Sequence, residues 1–120
     1  MQKYLDNTTT TENGVIYKNE GWETCDNNEI VYISEYGLDE IEQRRNNGEN
    51  LTDKQLVDMG IASTKNSIRE EIKMYYPDAT DKWIDRHHLV EDIISSCSWE
   101  CTSTMIDQMD NWDIWEDYGN

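Results

Sequence analysis

Two short runs of β-branched and aromatic residues stand out against the polar N-terminal part of the chain. They cover residues 15–17 (Val-Ile-Tyr) and 30–33 (Ile-Val-Tyr-Ile), and each is bounded by Gly, Asn or Asp. Runs of this kind predict β-strands, and residues 22–25 are a weaker third candidate. Because the connections are short, we expect an antiparallel pair or a small meander.

From Gly37 onward the apolar residues recur at helical spacing. A first helix is predicted to open at Gly37 and to end at residues 46–48 (Asn-Asn-Gly). Thr52 is a favourable N-cap for a second, short helix, with Gln55 as its capping-box partner. Gly60 suits the left-handed position that ends this helix.

A longer helix is predicted over residues 64–75, where isoleucines and a tyrosine share one face. Pro77, the only proline, ends it because proline cannot continue the hydrogen-bonding pattern. Thr80 or Asp78 then provides the N-cap of a further helix.

The last helical pattern runs over residues 83–109, either unbroken or with a break at residues 95–96. The order of these elements predicts an α+β fold, with a small N-terminal antiparallel sheet followed by a mainly helical C-terminal part. Residues 1–13 are polar and predict a flexible leader with a turn at residues 13–14. Residues 14–120 then form a single acidic α+β domain.

Charge narrows the range of partners. The chain carries 26 Asp and Glu against 10 Lys and Arg, a net charge of −16, spread evenly over both halves. Binding to naked nucleic acid is disfavoured because it needs cations that displace counterions, and an anionic membrane is disfavoured for the same reason. A basic protein surface is favoured, since opposite charge accelerates association.

Residues 51–72 are predicted to form a helix, a turn at a glycine and a second helix, which is the order of elements in a DNA-binding helix-turn-helix motif. Ile61 follows Gly60 as that motif requires, but the next large apolar residue, Ile68, lies two positions too far along. The second helix also mixes both signs of charge, carried by Lys65, Arg69, Glu70 and Glu71. Two ordinary packed helices are therefore the favoured interpretation.

Two cysteines and two histidines are the residues that could form a metal site. Cys97 and Cys101 would share one face of a continuous helix, but His87 and His88 are adjacent and diverge by about 100°. The set matches no usual zinc spacing, and no catalytic motif is present, so we expect no metal, no cofactor and no enzymatic activity. Three cysteines cannot all pair, and no long apolar run is visible, which predicts a cytoplasmic protein with reduced thiols.

The C-terminal segment, residues 107–118, joins acids to aromatics, and no Lys or Arg follows Arg86. It is predicted either to close a small core or to form a partner-binding surface with aromatic anchors and steering charges. Calcium binding is rejected because the loop lacks the required Gly and final Glu. The candidate partner-binding residues are Asp107, Asp110, Trp112, Asp113, Trp115, Glu116, Asp117 and Tyr118.

In size, charge, lack of an enzyme motif and this acidic aromatic segment, the chain resembles small acidic phage-encoded anti-defence proteins. That group includes DNA-mimic antirestriction proteins, anti-CRISPR proteins and inhibitors of NAD-depleting sirtuin-type defence proteins. The resemblance implies stoichiometric binding, in the host cytoplasm, that blocks a bacterial defence protein with a basic or nucleic-acid-binding surface.

Three hypotheses follow from the charge and the resemblance. The first is an inhibitor that acts through protein–protein contact. The second is a DNA mimic that occupies the nucleic-acid site of a restriction or CRISPR nuclease. On a helix, acids three or four apart lie ~5–6 Å apart, near the spacing of phosphates. The third is a phage regulatory protein with a helix-turn-helix-like core.

Overall fold

The computed structural model describes residues 8–11, 14–17, 25–97 and 101–119. Its sheet has four antiparallel strands in the order β1-β2-β3-β4, and helices make up most of the chain that follows. The α+β class is therefore confirmed. The strands are β1 (Thr8–Thr11), β2 (Gly14–Tyr17), β3 (Ile30–Ser34) and β4 (Ala62–Thr64).

The strands expected at residues 15–17 and 30–33 are present as β2 and β3. Strand β1 falls within the predicted flexible leader, but Thr8–Thr11 pairs with β2 in regular antiparallel register, so this part of the leader is a strand. The other leader residues, the first half of the predicted turn at 13–14, and residues 22–24 lie outside the described residues. Strand β4 was not predicted.

Helix α1 (Glu35–Asn46) begins two residues before the predicted start at Gly37. The reason is the Ser34 side chain, whose Oγ accepts a hydrogen bond from the Gly37 N–H at 2.9 Å and so caps the helix. Gly37 also packs closely on Ile61, where a Cβ atom would lie 2.6 Å from the carbonyl oxygen. The predicted end of this helix is confirmed.

Helix α2 (Asp53–Asp58) has the predicted capping box. Thr52 Oγ1 accepts from the Gln55 N–H at 3.2 Å, and Gln55 Oε1 accepts from the Thr52 N–H at 2.8 Å. Gly60 follows with φ of 78°, the left-handed conformation that was expected of it.

Strand β4 separates α2 from helix α3 (Lys65–Tyr75), and it pairs with β3 through Ala62 and Ile33. A helix-turn-helix motif needs a short turn between its two helices. Here the two helices are joined through a strand of the sheet, so the helix-turn-helix-like core is wrong. The predicted helix over residues 64–75 is confirmed, with Thr64 as its N-cap.

The last helical pattern is divided into α4 (Asp81–Arg86), α5 (Leu89–Ser96), α6 (Thr102–Gln108) and a 3₁₀ turn, Met109–Asn111. Thr80, rather than Asp78, caps α4, since its Oγ1 accepts from the Trp83 N–H at 3.1 Å. The helical pattern is interrupted first at His88, whose φ is 53°. It is interrupted a second time where α5 ends at Ser96, before α6 begins at Thr102. The predicted break at residues 95–96 is therefore near the second interruption, and the first was not predicted.

The buried side chains form two clusters. The larger one joins β3 to α3, α4, α5 and α6 around Trp83, Ile72 and Ile93, which are fully buried. The smaller one lies under α1 and α2, around Ile41 and Leu56. Among the helices that the structure describes, none is both long and apolar enough to span a membrane.

Candidate functional site

The aromatic residues of the C-terminal segment pack on the larger core cluster. The Trp115 ring lies 4.9 Å from Tyr76, 5.2 Å from Trp83 and 5.0 Å from Tyr118, measured between ring centroids. Its Nε1–H donates to the Met109 carbonyl oxygen at 3.0 Å. These distances are those of favourable aromatic pairs, so Trp115 contributes to the folding of the segment onto the helices.

Two further hydrogen bonds fix the segment in place. Trp83 Nε1–H donates to the Ile114 carbonyl oxygen at 2.9 Å, and the Asp78 N–H donates to the Tyr118 hydroxyl at 3.0 Å. Trp112, like Trp115 and Tyr118, is half-buried against the core. The aromatic side of the segment therefore closes the core, which was one of its two predicted roles.

Asp117 is also held by the domain. It forms an ion pair with Arg86, and its Oδ1 lies 2.8 Å from His87 Nε2. The hydrogen bond from His87, followed by that from Arg86, holds the pKa of Asp117 below its usual value. Of the predicted partner-binding acids, Asp117 is the one already paired with a described cation, Arg86, and it anchors the C-terminal segment to the helices.

The other four acids of the segment, Asp107, Asp110, Asp113 and Glu116, are exposed. We call them the carboxylate ladder. None of them forms an ion pair with a described Lys, Arg or His. Asp110 accepts a hydrogen bond from the Tyr76 hydroxyl at 3.2 Å, and burial together with this contact raises the pKa of Tyr76 to about 12.

The ladder does not lie on one helix. Asp107 is in α6, Asp110 is in the 3₁₀ turn, and Asp113 and Glu116 follow in irregular chain. The regular helical spacing that would imitate successive phosphates is therefore wrong for these residues. What the structure retains is a set of exposed carboxylates on a segment that is fixed to the core.

Basic residues compensate acids elsewhere on the surface. Arg44 pairs with Glu40 at 2.9 Å and Lys54 with Asp58 at 2.9 Å, both within their own helices. Between helices α3 and α4, Arg69 pairs with Asp85 at 2.8 Å and Lys73 with Asp81 at 2.8 Å. These four cations neutralise acids away from the carboxylate ladder, and no Lys or Arg in the described part of the chain forms an ion pair with the ladder.

The candidate metal ligands do not share a helix face. Cys97 is the C-cap of α5 and Cys101 is the N-cap of α6, so the two thiols belong to the ends of different helices. His87 contacts Asp117 instead. Within residues 8–11, 14–17, 25–97 and 101–119, no three His, Cys, Asp or Glu side chains are grouped to hold a metal ion.

The two thiols differ in character. Burial raises the pKa of Cys97 to about 11. Burial also acts to raise the pKa of Cys101, but hydrogen bonds from Thr104 and Ser103 outweigh it and leave that pKa below its usual value. The Cys101 thiol is only partly buried and lies 3.0 Å from Thr104 Oγ1.

A cavity of about 300 Å³ was not predicted from the sequence. We call it the Glu71 cavity. It lies where β3, α1, α3 and the start of α6 meet, and Tyr32, Tyr36, Glu71 and Cys101 are among the residues that line it. Glu71 borders the apolar stripe of α3 that contains Ile68 and Ile72, and an acid beside such a stripe is the signal that could have indicated a half-buried carboxylate.

Comparison of the chain with protein-family models, with curated proteins and with solved structures gives no match. No family role can therefore be transferred to any residue. The function proposed below rests on the carboxylate ladder, on the way in which the fold holds it, and on the resemblance in size and composition described above.

Proposed function

We propose that this protein is a phage-encoded inhibitor that binds and blocks a bacterial anti-phage defence protein, in the host cytoplasm and without catalysis. The carboxylate ladder (Asp107, Asp110, Asp113 and Glu116) is the centre of its binding surface. The observation that carries this proposal is that these four acids are exposed, lack a cationic partner among the described residues, and stand on a segment fixed to the core.

A fixed segment is a better binding surface than a flexible tail. Association costs free energy for every side chain and loop that becomes ordered, and a segment already held by Trp115 and Tyr118 has met much of that cost in folding. The ladder supplies long-range attraction to a basic surface, which raises the association rate. Trp112 lies between Asp110 and Asp113 in sequence and is half-buried, so its exposed part adds apolar contact to the binding surface.

The test is a plating assay with a panel of bacterial strains that differ only in the defence system each carries. Expression of this protein should restore plaque formation by a sensitive phage by several orders of magnitude in strains with one system. The purified protein and the effector of that system should then co-elute as a complex. Unchanged plating across a panel that includes restriction, CRISPR and NAD-depleting systems would refute the inhibitor function.

A DNA mimic remains a second candidate because the four ladder acids are exposed and uncompensated, although they do not follow a helix. The two mechanisms differ in competition. A mimic is displaced from the effector by duplex or single-stranded DNA, whereas an inhibitor bound elsewhere forms a ternary complex. Fluorescence anisotropy of labelled DNA on the effector, with the protein titrated in, distinguishes them.

A further inference from the structure

We propose that the Glu71 cavity receives the guanidinium group of an arginine side chain from the protein that this chain binds. This inference rests on the proposed function, because it supplies a second, short-range contact to the same partner. It concerns the face formed by β3, α1 and α3, and so adds a site that the C-terminal segment does not contain.

The cavity is of the right size for one long side chain. Ligand pockets span roughly 300–1,000 Å³, and at about 300 Å³ this one is at the small end of that range. The cavity that Glu71 lines is also lined by rings and hydroxyls, from Tyr32 and Ser34 of β3, Tyr36 of α1 and Ser103 at the start of α6. Tyr36 is 69% exposed, which leaves its ring available at the entrance.

The carboxylate of Glu71 is not compensated by the domain. It forms no hydrogen bond or ion pair with another described residue, and burial alone raises its pKa. The cations of the same helix are engaged elsewhere: Arg69 and Lys73 pair with Asp85 and Asp81 of α4. Lys65 Nζ donates to the Cys25 carbonyl oxygen at 2.8 Å. A half-buried carboxylate without a partner is unfavourable for folding, and such groups are enriched where a ligand will complete them.

The other titratable groups near the cavity do not supply a positive charge. Burial, with added repulsion from Cys97, Cys101 and Glu35, raises the pKa of Tyr32, so its phenol stays neutral at pH 7. The described residues that line the cavity include no Lys, Arg or His, which disfavours an anion as the occupant. No group of three metal-ligating side chains is present in the described part of the chain, which disfavours a metal ion.

A guanidinium group fits these surroundings better than an ammonium group. It presents five N–H donors in a plane, it is less strongly hydrated, and it stacks on aromatic rings. Glu71 and the serine hydroxyls offer acceptors for those donors, and Tyr32 and Tyr36 offer the rings. A lysine would place one compact, strongly hydrated charge there, with three donors and no planar face to stack on the rings.

The probe is N-acetyl-arginine amide, followed by NMR of the protein with ¹³C-labelled glutamate and ¹⁵N-labelled backbone. We expect saturable shifts at Glu71, Tyr32 and Tyr36, with a dissociation constant on the order of 1 mM for so small a ligand. The bound cation should also lower the pKa of Glu71 from its raised value. N-acetyl-lysine amide should bind several-fold more weakly.

Two variants make the titration specific. Glu71→Gln keeps the shape of the side chain and should weaken the binding of the probe at least tenfold. Glu42→Gln removes one exposed charge from α1 and should leave the affinity for the probe unchanged. Circular dichroism melts verify that both variants are folded.

A linear, non-saturating response, equal binding of the lysine and arginine probes, or undiminished binding to Glu71→Gln would each overturn the proposal. The titration needs no defence protein. Its failure therefore removes only the cavity inference, whereas failure of the plating assay removes the inhibitor function and leaves a measured arginine site intact.

Discussion

Replacement of Trp115 by alanine is the perturbation that most clearly separates a core residue from a binding anchor. The change removes three ring contacts, with Tyr76, Trp83 and Tyr118 at 4.9–5.2 Å, and the hydrogen bond to the Met109 carbonyl oxygen. It also exposes part of Trp83, a fully buried side chain that packs under the segment. The substitution should therefore lower the stability of the protein alone, without a partner.

The magnitude follows from the burial of the ring. A fully buried Trp→Ala change costs about 3–5 kcal/mol. Trp115 is half-buried, so we expect about 3 kcal/mol, of which roughly 1 kcal/mol is the Nε1–H hydrogen bond. A domain of this size has a free energy of unfolding of about 5–15 kcal/mol. The melting temperature should therefore fall by roughly 10–15 °C.

The assay is urea and thermal unfolding followed by far-UV circular dichroism, because a tryptophan variant changes the fluorescence signal itself. Trp115→Phe keeps a ring and loses the hydrogen bond, so it should cost about 1 kcal/mol. Asp113→Asn, at an exposed position of the same segment, should stay within about 0.5 kcal/mol of the wild type. If Trp115→Ala melts within about 2 °C of the wild type, the packing role of the ring is refuted.

Three further predictions concern titratable groups. Glu71→Gln should raise the melting temperature at pH 7, because a carboxylate whose pKa is raised in the folded state destabilises the fold when it is ionised. The gain over wild type should vanish below about pH 4, where the carboxyl group is protonated in both states, and it should be absent in Glu42→Gln. Asp117→Asn should lower the melting temperature at pH 7, because a carboxylate whose pKa is lowered in the folded state stabilises the fold above its unfolded pKa of about 3.9. The difference from wild type should shrink as the pH falls through the folded pKa. Iodoacetamide should alkylate Cys101 at least tenfold faster than buried Cys97, as peptide mass spectrometry would show, and equal rates would contradict the assigned environments.

Helix boundaries that are set by side chains a few residues apart could be predicted from the sequence. Thr52 and Gln55 satisfy each other across three positions, so the start of α2 was readable without knowledge of the fold. The start of α1 was misplaced at Gly37 because Ser34, three residues before it, was not recognised as the N-cap. In each case the outcome was decided by one side chain next to the element.

Features that depend on distant contacts were beyond local patterns. Strand β4 has three residues with a polar Ser63 at its centre, and only pairing with β3 makes it a strand. His88 takes a left-handed conformation although it is not a glycine, so no glycine or proline in the sequence indicated the interruption between α4 and α5. The burial of Trp115 depends on Trp83, which lies far away in sequence, and the segment alone was equally consistent with core and interface.

The central claim, that the carboxylate ladder binds the partner, is tested most directly by plating efficiency with two matched fourfold variants. One variant neutralises the ladder, with Asp107, Asp110 and Asp113 changed to Asn and Glu116 to Gln. The control removes the same charge from exposed acids elsewhere, namely Asp26, Asp39, Glu42 and Asp92.

Both variants should express and melt close to the wild type, since all eight positions are exposed. In the strain whose defence system the wild type overcomes, the ladder variant should lose the restoration of plaques by at least a hundredfold, and the control should keep it. Equal activity of the two variants, or loss in the control alone, would contradict the assignment of the binding surface to the C-terminal segment.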